Sequence, residues 1–137
     1  MNQANPLTAA SPGAITDELA LRILREVVAE RPEYVYSAPD HMTDDPAGDG
    51  LGCFYVHRDE DGAMVSAGCA VGVVLNRLGL SLEQLAEEEG STGHSVIARI
   101  LPQLSPRTRD ILNDMQMRQD DGDPWALAYA KATGETI

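Results

Sequence analysis

Aromatic side chains are scarce in this chain. One Trp, one Phe and four Tyr make up 4% of its 137 residues, so aliphatic residues and alanine must fill the interior. Cysteine is scarcer still. Two of them, Cys53 and Cys69, cannot make a disulfide framework. No run of about 18 apolar residues occurs, which excludes a membrane-spanning helix. Basic residues are few, 10 Lys and Arg against 22 Asp and Glu. The net charge of -12 repels phosphate backbones and anionic membranes and favours solubility. Residues 1–13 lack a basic start and an apolar stretch, so they do not read as a secretory signal. The expectation is a cytoplasmic protein with reduced thiols.

What is present points to a helical domain. A hydrophobic content of 43% over 137 residues suits one core. Residues 1–14, small and polar with Pro6 and Pro12, read as a disordered tail, and 15–137 as a single globular α+β domain. Its centre is Gly68-Cys69-Ala70-Val71-Gly72-Val73-Val74-Leu75-Asn76-Arg77-Leu78-Gly79. Val71, Val74, Leu75 and Leu78 recur at helical spacing. The small residues at its start allow another backbone to approach closely, and Gly79 is placed to close the helix.

Around that centre the spacing predicts a helix over 17–30, capped by Thr16 and stopped before Pro32. Ser81 and Gln84 form a capping box for a helix over 82–89. Another helix is expected over 93–101. Ser105-Pro106 starts a helix that buries Thr108, Ile111, Leu112 and Met115, and Asp123-Pro124 repeats the start signal for the last one, with Trp125, Ala128, Tyr129 and Ala132 inward. Residues 34–36, 53–57 and 63–65 have strand propensity. The fold expected is α+β, mainly α, with a small antiparallel β-sheet of two or three strands on a bundle of about six helices.

Chemistry-bearing patterns are thin. Residues 80–101 resemble a helix-turn-helix, with Ala86, Gly90 and Val96 at its spacing. Ser91 and Arg99 stand where apolar residues belong, and the second helix lacks cations to grip phosphate, so nucleic acid is an unfavourable partner. Cys69 at a helix start, or Cys53 with His57 on one strand, could serve a nucleophile. The competing reading of both thiols is packing. His41, Asp44, Asp45 and Asp49 share one loop, and 59–62 and 120–123 are acidic turns, but none matches a calcium loop. No metal and no cofactor is predicted. Gln116, Gln119 and Asp120 fall near the joint of the last two helices with the sole Trp, Trp125. They either orient that joint by hydrogen bonds or meet a partner.

Residues 34–36, Cys53-Phe54-Tyr55-Val56, Gly68-Cys69-Ala70-Val71-Gly72, Leu75-Asn76-Arg77-Leu78-Gly79 and then Gln116, Gln119-Asp120, Gly122, Trp125 and Ala128 together resemble uncharacterised small acidic proteins of actinobacteriophages and actinobacteria. The resemblance spans about residues 17–132. It implies a phage or prophage origin and an accessory role in the host cytosol. The function expected is therefore non-enzymatic, acting through contact with a host or phage protein or through a homodimer. A helix-turn-helix-like DNA-binding regulator and a small Cys/His enzyme are the alternatives.

Overall fold

The computed structural model describes residues 15–37, 54–88 and 93–137. Within them the order is α1 (Asp17–Glu30), β1 (Val56–Arg58), β2 (Met64–Ala67), α2 (Ala70–Arg77), α3 (Leu82–Ala86), α4 (Gly93–Ile100), α5 (Pro106–Asp120) and α6 (Trp125–Thr133). The mainly helical α+β architecture is the one expected. Its sheet is a two-stranded antiparallel hairpin, which packs on α3 and α2. Among the described residues no helix is long and apolar enough to cross a membrane.

Helix α1 begins where the Thr16 hydroxyl accepts the Leu19 N–H at 3.1 Å, filling one orphan donor of the first turn. It ends at Arg31 because the next residue is proline. Ala20, Leu24, Val27 and Val28 are buried, and that face lies against α2, α5 and α6. The Asp17 carboxylate also accepts the Ser105 N–H at 2.9 Å. It therefore ties the start of α1 to the cap of α5, and the bond from Ser105 holds its carboxyl below the usual carboxylate range.

The other local stop and start signals act as expected. Ser81 and Gln84 exchange both bonds of a capping box. Ser105 accepts the Thr108 N–H, with proline in the first turn behind it. Gly79 has φ 121°. Its N–H bonds Asn76 O and the Leu80 N–H bonds Leu75 O, the paired closure of a Schellman motif that needs a left-handed residue.

Three expectations change. Residues 34–36 are extended but join no sheet among the described residues; the Tyr34 carbonyl serves α6 instead of a neighbouring strand. Helix α3 closes at Ala86, and a turn follows through Glu88. At Asp123-Pro124 the proline is the residue before the helix, and no side chain caps α6; Asp123 instead accepts from Lys131. Cys53, His41, Asp44, Asp45 and Asp49 lie outside the described residues.

Gly72 of α2 makes a close backbone contact with the run into β1. A Cβ built there would stand 2.7 Å from the Tyr55 carbonyl oxygen and 3.1 Å from Tyr55 Cα. Both are main-chain atoms, so neither can swing aside. Gly72→Ala gains about 1 kcal/mol of helix propensity but drives a methyl into the strand, and overpacking of this kind costs about 1–3 kcal/mol. We expect net destabilisation, read by urea denaturation. An equal or more stable variant would show that α2 can lift off the strand without cost.

Candidate functional site

The residues singled out from the sequence meet at two places. The first is the buried start of α2. Cys69 precedes the helix with an extended backbone and offers no side-chain cap. A helix start buried without partners is costly, because its first N–H groups have no intrahelical acceptor. Two glutamines of α5 supply the acceptors. Gln119 Oε1 accepts the Ala70 N–H at 2.7 Å, and Gln116 Oε1 accepts the Val71 N–H at 3.0 Å. Gln119 Oε1 also accepts the indole N–H of Trp125 at 3.3 Å, so both of its lone pairs are in use. The Gln119 amide nitrogen donates to Asp120 at 2.9 Å. Gln116 and Gln119 are 4% and 2% exposed, whereas Asp120 faces solvent.

The start of α6 is held the same way. The N–H groups of Trp125 and Ala126 donate to Tyr34 O at 2.9 Å and Pro32 O at 2.8 Å. The extended stretch after α1 is thus the cap of α6.

Cys69 is fully buried in the hydrophobic cluster with Ala70, Val71 and Val56. A nucleophile must meet its substrate, and this thiol is covered on all sides. Its main-chain N–H is used too, donating to Phe54 O at 3.0 Å.

The second place is an aromatic strip that sequence reasoning did not assemble. Trp125 and Tyr34 meet edge to face at 4.8 Å between centroids. Tyr34 and Tyr36 follow at 6.5 Å, and Tyr36 and His57 at 5.5 Å. The Arg31 guanidinium lies 3.9 Å from the centre of the Tyr34 ring, a cation–π distance. His57 therefore belongs with Tyr36, whose hydroxyl lies 2.8 Å from its Nε2. Burial pushes the His57 pKa down, and the positive Arg31 adds to this. A signal existed in the Tyr34/Tyr36 spacing, since a part-buried tyrosine hydroxyl finds a hydrogen-bond partner. It gives no partner's identity.

Arg99, placed where a helix-turn-helix has an aliphatic residue, is exposed and paired with Glu88. An open hollow of about 640 Å³ between α5 and α6 is lined by Arg107, Asp110, Ile111, Asn113, Asp114 and Ala132. Its charges are of both signs and Asp114 is already bonded to Arg118. No group of three or more metal-ligating side chains converges among the described residues. Comparison with known protein families, with curated proteins and with solved structures gives no match.

Two outcomes follow from the capped start of α2. Gln119→Leu leaves the Ala70 N–H and the Trp125 indole N–H buried without an acceptor. At about 1–3 kcal/mol for each unsatisfied buried group, it should destabilise more than Gln116→Leu, which strands the Val71 N–H; chemical denaturation followed by Trp125 fluorescence ranks the two. In a Cys53→Ser background, Cys69 should resist a thiol reagent in native buffer and react at once in denaturant. Rapid native labelling would refute its burial.

Proposed function

We propose that the protein is a non-enzymatic accessory factor of phage type that works in the host cytosol by binding another protein. One observation carries this reading. The polar side chains at the heart of the fold, Gln116 and Gln119, are spent on helix starts and on the indole, and the buried thiol of Cys69 is core. Their roles are those of a frame. What the molecule offers outward is its excess of carboxylates, a net charge of -12, and large apolar side chains at Val35, Val65, Met117, Leu127 and Ile137.

Such a surface suits a partner with a basic, partly apolar face. Opposite charge steers the encounter, and apolar contacts hold the complex. The resemblance to small acidic phage and actinobacterial proteins supports the same reading and names the source of the partner, a host or phage protein.

The protein used as bait in an actinobacterial lysate at low salt should recover one stoichiometric partner that survives nuclease treatment. Retention should weaken toward about 1 M salt, where charges are screened beyond about 3 Å. Clean failure with several lysates would count heavily against the proposal. Duplex DNA retarded at low salt would favour the helix-turn-helix reading instead.

A further inference from the structure

The Tyr36 hydroxyl joins the stretch after α1 to the run through Phe54 into β1. It accepts the Phe54 N–H at 3.0 Å and lies 2.8 Å from His57 Nε2. Through the backbone of Tyr34 the same stretch caps α6. The imidazole is also walled in by the turn before α2. A Cβ built on Gly68 would stand 2.5 Å from His57 Cδ2 and 2.6 Å from Nε2, so the ring rests directly on the Gly68 main chain and has no room to retreat there.

We propose that Tyr36, His57 and the Phe54 amide form an acid-sensitive clasp: the neutral imidazole holds the 34–36 stretch against the hairpin, and protonation of His57 loosens it. The argument is one of lone pairs and protons. A phenol has one proton to give and two lone pairs. The Phe54 N–H occupies one lone pair. With His57 neutral and its proton on Nδ1, the phenol proton serves Nε2. When solvent protonates the ring, both ring nitrogens become donors. Nε2–H then faces the hydroxyl, which must accept twice and withdraw its own proton from the imidazole. The new charge also sits in a half-buried place within the field of Arg31.

Among the described residues few other charges surround the ring. The stretch before Tyr36 brings Arg31, Glu33 and the phenol of Tyr34. Strand β1 and its turn bring Arg58 and Asp59. Strand β2 sets uncharged Ser66 opposite His57, and the next turn holds Gly68 and Cys69. Helix α3, which packs on β1, brings Glu83 and, just past its end, Glu87, both exposed. Among the described residues Arg31 is the charge that acts on His57. The histidine is held below its ordinary pKa, so the folded state binds this proton less readily than the unfolded chain. The clasp's contribution is complete above about pH 6.5 and is lost as pH falls through the lowered value.

Amide exchange of the full chain, followed by NMR at about pH 7.5 and about pH 4.5, carries the lower value well below the ordinary histidine range, as the lowered titration of His57 requires. After correction for intrinsic exchange chemistry, and relative to core amides of α1, protection of the Phe54 N–H should fall several-fold at the lower pH. His57→Gln keeps a neutral hydrogen-bonding side chain and should abolish the pH dependence. Tyr36→Phe removes the acceptor, so Phe54 should exchange fast at both values. Equal protection of Phe54 at both values in the unaltered protein would overturn the clasp, as would an unchanged pH response in His57→Gln. Should the variants not fold, direct titration of the His57 ring in the unaltered protein decides: a value below the free histidine supports the clasp, and a value at or above it refutes it.

Discussion

Everything central in this fold depends on satisfying a helix start that has been buried. Helix α2 is the most enclosed element, and its first N–H groups point into protein rather than water. Left bare, each would cost about as much as a typical damaging mutation. Cys69, at the cap position, contributes a thiol that makes no such bond. The carbonyl oxygens of Gln119 and Gln116 therefore cross from α5. Because Gln119 also takes the indole N–H of Trp125, one amide oxygen fixes α2, α5 and α6 together. A neutral acceptor suits this position. A carboxylate would gain from the helix dipole but would carry a charge into the core, where desolvation is expensive.

Small residues make that arrangement reachable. Gly72 lets α2 come down on the main chain at Tyr55, and Gly68 lets the turn before it approach Phe54 O and the His57 ring. With the helix so close, the hairpin's backbone can extend its bonding through Gly68 and Cys69 to Tyr55 and Phe54. Trp125, Tyr34, Tyr36 and the His57 imidazole follow one another in ring contact. The bulk of the core is left to Leu, Val, Ile, Met and Ala. Two-stranded hairpins are marginal alone. This one is held by α2, α3 and the Tyr36 hydroxyl rather than by its own ladder.

What the sequence disclosed and what it hid divide along sequence separation. Thr16, Ser81, Ser105 and Gly79 were legible because donor and acceptor lie within a few residues, so the motif carries its own partner. The apolar periodicity of α1 and α2 was legible for the same reason. The remote caps were not. Gln119 bonds Ala70, 49 residues away, and Gln116 bonds Val71 across 45. Nothing in the spacing of either segment names the other. Residues 34–36 show the opposite error. Alternating tyrosines announce an extended chain, and the chain is extended, but propensity does not supply a neighbouring strand. Its Tyr34 carbonyl found the start of α6 instead. The candidate joint at Gln116, Gln119, Asp120 and Trp125 was visible as a cluster. Its purpose as a cap for α2 required the third dimension.

The charged surface stands apart from this internal logic. Arg25, Arg77, Arg99, Arg118 and Lys131 each pair with a carboxylate. Such surface pairs are worth about 0–1 kcal/mol, so they do not hold the core together. Their effect is to cancel cations locally and leave the distant field to the excess acid. At about 0.1 M salt that field reaches only about 10 Å. It can orient an approaching basic surface and repel an acidic one, but it adds little to how long a complex lasts. Residence must come from desolvated apolar contact. On this molecule that contact would be sought at side chains such as Val65 and Met117, which are more than half exposed.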